Sequence, residues 1–292
     1  MSNPSEAVPQ LLLNVKHVVL VLSGKGGVGK SSVTTQVALS LALKGFNVGV
    51  LDTDLTGPSL PRMFGVESKQ VHQSQKGWVP VSVYNSQQDE SRGSISLMSL
   101  GLLISRRDSS IVWRGPKKTA MIRQFMSDVA WTGTTEVGKL DYLIIDTPPG
   151  TSDEHIAIAE ELRYVKALAG AIIVTTPQQV ATADVRKEIN FCKKVNFEIL
   201  GVIENMSGFI CPYCAMCTDI FLRGGGKTLC SSLNLDLLGE IPIDPTFVEL
   251  IETQISGDAK ATLLDDYQSS RLYPNVSDIV DKVVEKIETT TV

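Results

Sequence analysis

The chain predicts a doubly wound α/β fold with a mainly parallel sheet, and three observations predict it. Short apolar runs recur, each closed by polar or turn residues, as strands buried on both faces are. Stretches of helical period lie between them. The residues that carry chemistry fall just after apolar runs, beyond the carboxyl ends of strands, where such sheets bind their ligands.

Val18-Val19-Leu20-Val21-Leu22 reads as the first buried strand and Ser31 to Lys44 as the helix after it. Asn47 to Leu51 is the second strand, followed by Tyr142 to Ile145, Ala171 to Thr175, Ile199 to Ile203 and a short Leu237 to Ile241. Helices fit at Lys117 to Val129, Asp153 to Arg163, Val180 to Val195 and Ser277 to Ile287. Two polar stretches, Asn85 to Ser94 and Thr132 to Lys139, read as surface insertions, the first of them mobile. Residues 1–14 read as a flexible N-terminus and 15–292 as one domain.

Composition narrows the function. Of 292 residues 43% are hydrophobic and 20% charged, which is a soluble globular balance. Net charge is −5 and no Lys/Arg cluster stands out, so nucleic acid is not expected as a partner; phosphate-backbone binding needs a basic footprint. Met1 to Gln10 is polar, and the apolar stretch after it is broken by Lys16 and His17. No segment reaches 18 uninterrupted apolar residues, so neither a signal peptide nor a membrane span is expected. Five cysteines, three of them within seven residues, do not read as a secreted disulfide framework, and a reducing, cytoplasmic compartment is expected.

Gly24-Lys25-Gly26-Gly27-Val28-Gly29-Lys30-Ser31, followed by Ser32, satisfies the phosphate-loop pattern G-x-x-x-x-G-K-[ST]. Glycines let the backbone N–H groups curl around a phosphate, and the following helix adds its positive end. Lys30 would reach the β- and γ-phosphates of a nucleotide, and the Ser31 hydroxyl would ligand Mg²⁺. A plain glycine-rich turn is the competing reading, and the strand–loop–helix context disfavours it. Lys25 is a second cation, expected to point out of its own loop toward a partner subunit's nucleotide.

Asp52 and Asp54, two apart at a strand end, point the same way. Asp54 is the candidate for orienting the attacking water or holding water on Mg²⁺; acids solvated in a turn or capping a helix are the alternative. Asp146, after an apolar strand, reads as the acid that holds Mg²⁺, and Pro148-Pro149-Gly150 as a γ-phosphate-sensing switch, stiff except at its glycine.

Together, Lys-Gly-Gly-Val-Gly-Lys-Ser, Asp-x-Asp and Asp-Thr-Pro-Pro-Gly resemble the deviant-Walker-A, SIMIBI-type P-loop ATPases. These include nitrogenase iron protein, the septum-site and partition ATPases, the arsenite-pump ATPase and the Mrp/ApbC branch. The resemblance implies ATP hydrolysis in a face-to-face dimer, with Lys25 reaching across. It also implies adenine recognition by Asn205, placed after a strand in Glu204-Asn205-Met206-Ser207, and a second base contact at Pro242-Ile243-Asp244.

Cys211-Pro212-Tyr213-Cys214-Ala215-Met216-Cys217 follows directly. Two thiols three residues apart can reach one metal or cluster, because a tight turn folds them to one side. A closed zinc site or a [4Fe–4S] cube wants four thiolates, and no second C-x-x-C lies downstream. Cys192, beside the apolar stripe Val185, Ile189 and Val195, reads as core, and Cys230, on a short helix, as structural. Two cysteines per chain become four on a two-fold axis, which points to a subunit-bridging cluster. A redox pair, or a zinc clip of three thiols plus water, stays open.

Glu-Asn-Met-Ser-Gly-Phe followed by Cys-Pro-x-Cys is similar to the Mrp/NUBP branch of Fe–S assembly scaffolds. So are Asp54 to Ser59, Trp113-Arg114-Gly115-Pro116 and Thr147 to Glu154, over a span from about Lys16 to beyond Phe247. The longer eukaryotic member of that branch carries an N-terminal four-cysteine cluster. Here the first cysteine is Cys192, so the chain is most similar to the short cytosolic type that works with the longer one. That resemblance implies Cys211 and Cys214 as bridging [4Fe–4S] ligands, with Cys217 matching a further cysteine. It implies an ATP-dependent scaffold, slow in hydrolysis, that hands its cluster to cytosolic or nuclear apoproteins. Its partners would be the longer scaffold subunit or a second copy, apo Fe–S clients and downstream targeting factors. A partition-type positioning ATPase would need a basic amphipathic tail or basic patch, whereas Val276 to Val292 carries Asp278, Asp281, Glu285 and Glu288. A nitrogenase-iron-protein-like reductase is the other alternative.

Overall fold

The computed structural model describes residues 12, 14–86, 89, 91–103, 114–131, 139–221 and 223–290. The chain opens with β1 (Val15–Ser23), α1 (Lys30–Leu43), β2 (Val48–Asp52) and α2 (Leu60–Met63). A small hairpin, β3 (His72–Ser74) and β4 (Gly77–Val79), leads to β5 (Val81–Tyr84) and β6 (Ile95–Ser99). Then come α3 (Gly115–Asp128), β7 (Leu140–Asp146), α4 (Asp153–Leu162), β8 (Leu168–Thr175) and α5 (Gln179–Val195). The last part is β9 (Ile199–Ile210), β10 (Cys217–Thr218), α6 (Gly225–Leu233) and β11 (Leu237–Ile243), closed by α7 (Pro245–Ser256), α8 (Leu263–Gln268) and α9 (Tyr273–Thr290).

All of β1 except Lys16 is buried, as is all of β2, so these strands need helices on both faces. The main sheet runs β5-β6-β2-β7-β1-β8-β9, with β10 and β11 both paired to β9. Its core is parallel; β5 and β10 pair antiparallel at the ends. Strand alternation sorts the core into two layers. Val19 and Val21 join Val33, Val37 and the α9 residues Val276, Ile279, Val280, Val283 and Ile287 on one face. Val18, Leu20 and Leu22 join Ile122 and Phe125 of α3 and Ile158 and Leu162 of α4 on the other. Gly239 of β11 admits Ile279, since a Cβ there would lie 2.5 Å from its Cγ1. None of the helices, among the described residues, is long and apolar enough to cross a membrane.

The six expected strands are β1, β2, β7, β8, β9 and β11, and the chain is an α/β sheet of the expected kind. Strands β5 and β6 were not foreseen. In β6 (Ile-Ser-Leu-Met-Ser) two buried serines, Ser96 and Ser99, break the apolar run that marked the others. A second difference concerns β9, which does not end at Ile203 but continues to Ile210, carrying Asn205 inside it. The end of the polar stretch at 85–94 is fastened: Gly93 N–H donates to Ala42 at 2.8 Å, and Arg92 pairs with Asp265 at 2.5 Å. Residues 1–11, 13, 87, 88 and 90, Trp113 and residues 132–138 lie outside the described residues; Leu12 is buried.

Candidate nucleotide site and cysteine loop

Because β7 inserts between β1 and β2, the carboxyl ends of three strands meet at one place. Asp146 is the register partner of Val21 on one side and of Asp52 on the other. The loop from Ser23 to Lys30 leaves β1 beside them. Gly27 and Gly29 take left-handed φ values of 80° and 79°, open to glycine at little cost, and Gly29 starts α1. Gly24 is fixed for another reason, as a Cβ there would lie 2.5 Å from the backbone of Asp184 and Val185 on α5. The loop lines a cavity of about 310 Å³, which Lys25 to Ser32 share with Asp54, Ser59, Met63 and Pro149.

Asp146 is fully buried and organises the site. Lys30 Nζ lies 2.6 Å from its Oδ2, Ser31 Oγ donates to it at 2.7 Å, and Thr34 Oγ1 donates at 2.5 Å to Oδ1. Hard oxygen donors of this kind, a hydroxyl and a carboxylate beside a phosphate cradle, suit Mg²⁺. Asp52 sits alongside with a different fate. Its carboxylate accepts from Ser99 Oγ at 3.0 Å and the Asp54 N–H at 3.1 Å, yet it is pushed up to about 8. Burial is the first cause and the charge of Asp146 the second, with Lys30 opposing. Asp54, half-buried at the cavity wall, takes Thr56 Oγ1 at 2.7 Å in a local turn.

Lys25 lines the rim of the same cavity, half-buried, and makes no ion pair among the described residues. Behind it, Gly150 (φ 75°) ties the Pro148–Gly150 segment to β1 by donating to the Ser23 carbonyl at 2.8 Å. Ser152 then caps α4, and Glu154 in its first turn pairs with Lys118 of α3 at 2.9 Å. Gly115 stands where a Cβ would meet Asp153. Arg114-Gly115-Pro116 is thereby set where the start of α3 meets the start of α4.

Asn205 is buried, and its Nδ2 donates to the Val28 carbonyl of the phosphate loop at 2.8 Å. In Pro242-Ile243-Asp244 the last residue is the cap of α7, its Oδ1 accepting from Thr246 N at 3.0 Å and Oγ1 at 2.8 Å. Thr34 and Ser99 are the site residues that sequence reasoning missed, and Asp52 was placed at the site without a role of its own. Thr34 carried a signal, lying three residues after Ser31 on the same helical face.

Strand β9 runs on into the cysteines. Ala215 N–H donates to the Cys211 carbonyl at 2.9 Å and Cys211 N–H to Met216 at 3.0 Å, with Ala215 in the left-handed region at φ 57°. The turn aims the N–H groups of Cys214 and then Tyr213 at the Cys211 sulfur. These, with the Cys214 thiol, hold Cys211 below its ordinary thiol range. Cys217 is turned elsewhere, its Sγ packed against Gly208, where a Cβ would lie 2.7 Å away. Among the described residues no three His, Cys, Asp or Glu converge as a metal site. Cys192 is fully buried and Cys230 nearly so, in the places expected of them.

A family model described as ParA: NUBPL iron-transfer P-loop NTPase matches residues 14–284. The chain belongs to this family. It is 67% identical over 285 residues to cytosolic Fe-S cluster assembly factor CFD1 of Candida albicans, covering 96% of each chain. It is 61% identical over 280 residues to the protein of that name from Saccharomyces cerevisiae, covering 96% of this chain and 91% of the other. Among solved structures, a nucleotide-binding protein of Archaeoglobus fulgidus in complex with ADP matches at TM-score 0.69 and 33% identity, over 91% of this chain and 98% of that one. The septum site-determining protein MinD of Pyrococcus horikoshii, at TM-score 0.54 and 20% identity over 94% and 98%, shares the fold. In this NUBPL-type NTPase, then, the phosphate loop and the cysteine turn lie at the carboxyl edge of one sheet.

Proposed function

We propose that the protein is a cytosolic Fe–S cluster assembly factor that uses ATP and holds its cargo, a [4Fe–4S] cluster, between two subunits. One observation carries this reading: the cysteine turn presents Cys211 and Cys214 together and leaves Cys217 apart. Two thiolates are half the ligand set of a cubane cluster. A facing subunit would supply the other half, either a second copy or a longer scaffold subunit of the same family. The names of the CFD1 relatives support both the chemistry and the compartment. Apo Fe–S proteins and downstream targeting factors would be the recipients.

At the nucleotide site, the N–H groups of residues 24–32 would cradle the phosphates and Lys30 would turn from Asp146 to the β- and γ-phosphates. Ser31 and Asp146 would hold Mg²⁺, whose role is to neutralise phosphate charge. Asp54 would orient the attacking water, and Lys25 would reach the partner's nucleotide. Asn205, with Nδ2 committed to Val28, has Oδ1 to offer the adenine amino group, and the backbone of Pro242–Asp244 would form the other base contact. A positioning ATPase of the partition type is disfavoured, because the acidic α9 packs its apolar face into the core. A reductase would keep its cluster through redox cycles rather than give it up.

Anaerobic reconstitution with iron and sulfide tests the proposal. About two irons and two sulfides per chain are expected, as for one cube shared by two chains, with release to an apo-ferredoxin-type acceptor. The Cys211→Ala/Cys214→Ala protein should bind neither. Full retention of cluster by that variant sinks the reading, and a cluster that cycles but does not transfer favours the reductase.

A further inference from the structure

Asn205 and Met206 are adjacent in β9, yet both side chains lie beside Gly29 of the phosphate loop. A Cβ on Gly29 would fall 2.2 Å from Asn205 Nδ2 and 3.5 Å from Met206 Cε. Neighbours in a regular strand point to opposite faces. The exception is made by the backbone of Met206, whose φ of 60° is left-handed, a conformation that non-glycine side chains take rarely. The ladder to β11 slips over the same stretch, between Ile241 and Ile243, opposite Asn205 to Phe209.

Both ends of the cysteine loop are fastened to this kinked strand. Upstream of the kink, buried Glu204 accepts the Gly226 N–H, which holds the start of α6, and Ser207 Oγ at 2.9 Å. Downstream, Ile210 pairs with Cys217 and leads straight into Cys211. On the other side of the strand's contact, Asn205 holds the Val28 carbonyl. That carbonyl and the Gly29 N–H belong to one trans peptide and point in opposite directions. Holding the carbonyl toward β9 therefore turns the Gly29 N–H away from β9, and any rotation of that peptide on phosphate binding pulls on Asn205.

We propose that Asn205 and Met206 are positioning residues that couple the two sites: the Val28–Gly29 peptide sets the kink in β9, and the kink sets how the Cys211/Cys214 pair is presented. This deepens the cluster-assembly reading and rests on it for the purpose of the coupling, though the coupling itself can be measured without a cluster. The readout is the rate of maleimide labelling at Cys211 and Cys214 in the metal-free full-length chain. It is taken at saturating Mg²⁺ with ADP, with a non-hydrolysable ATP analogue, and without nucleotide.

Nucleotide should change the labelling rate of the native chain by about fivefold or more, within the range of ordinary site-to-site coupling. Asn205→Ala should lose most of that response at saturating nucleotide. Met206→Gly relieves the left-handed backbone without removing the hydrogen bond, so it should fold as well as the native chain while its response shrinks. Labelling that ignores nucleotide in the native chain overturns the proposal. So does a full response in both variants, or an Asn205→Ala protein that loses only its preference for ATP over GTP, the mark of a base contact alone. If the cysteines instead respond to nucleotide but take up no iron, the coupling stands and the cluster reading falls.

Discussion

Asp52 and Asp146, register partners on adjacent strands, differ in the partners that surround them. Asp146 holds three donors, one of them the Lys30 ammonium, whereas Asp52 pairs with no cation among the described residues. Burial and that neighbour therefore keep Asp52 protonated near neutral pH. The pattern Asp-x-Asp drew attention to Asp54, because the neighbourhood of Asp52 and Asp146 exists only once β7 has slotted between β1 and β2. Environment sorts the thiols in the same way. Burial pushes Cys192 up to about 12 and Cys230 up to about 11, while backbone N–H groups hold Cys211 low. Since the thiolate is the nucleophile, three cysteines should be alkylated in the native chain at pH 8, with Cys211 fastest. All five should react only in denaturant, and mass spectrometry of the native adduct reads the count. Native labelling of Cys192 would show that α5 does not pack as described.

At the scale of elements, most of α5 could be read beforehand, since Val185, Ile189 and Cys192 recur at helical spacing and all are buried. Glu188 falls on the same face, and periodicity gave no warning of it. It is 1% exposed, neither carboxylate oxygen has a hydrogen-bond partner among the described residues, and burial pushes it up to about 7. The same limit hid β6, where buried serines interrupt the apolar run, and the length of β9, whose polar Glu204 and Asn205 look like a strand end. Polar residues inside elements are legible only when their partners are known. For Glu188 the pH consequence has a definite sign. Its folded value lies above the unfolded one, so the native state binds the extra proton between about 4.5 and 7. The stability it contributes is present at low pH and is lost as pH rises through that window. One pKa unit is worth about 1.4 kcal/mol, so the full swing across that window is on the order of 3–4 kcal/mol. Glu188→Gln should flatten the fall in Tm between pH 5 and pH 8, scanned at fixed ionic strength. Its absolute stability is not the criterion, because the amide is also buried without a partner. Parallel Tm curves for the two proteins would mean that Glu188 is charged throughout.

Across the whole molecule, the two functional features share an edge and share an incompleteness. The carboxyl ends of the parallel strands carry the phosphate loop, Asp52, Asp146 and the cysteine turn together, as doubly wound sheets place their ligands. Around the cysteines the surface is apolar: Tyr213 is 97% exposed, Met216 67% and Ile220 53%. Large apolar groups left in water together beside the Cys211/Cys214 turn would suit a surface that a partner buries. The cysteine count pointed there from the start, but only the turn separates Cys217 from Cys211 and Cys214, the proposed ligand pair. If cluster and partner complete the same surface, loading and association are one event. Anaerobic reconstitution should then double the mass measured by light scattering, in step with iron uptake to about two per chain. Chelation of the iron should return the monomer. Tyr213→Ser should weaken association without removing a ligand, shifting the doubling to higher protein concentration. A monomer carrying four irons would show instead that one chain completes the cluster alone, and the exposed apolar groups would then need another partner.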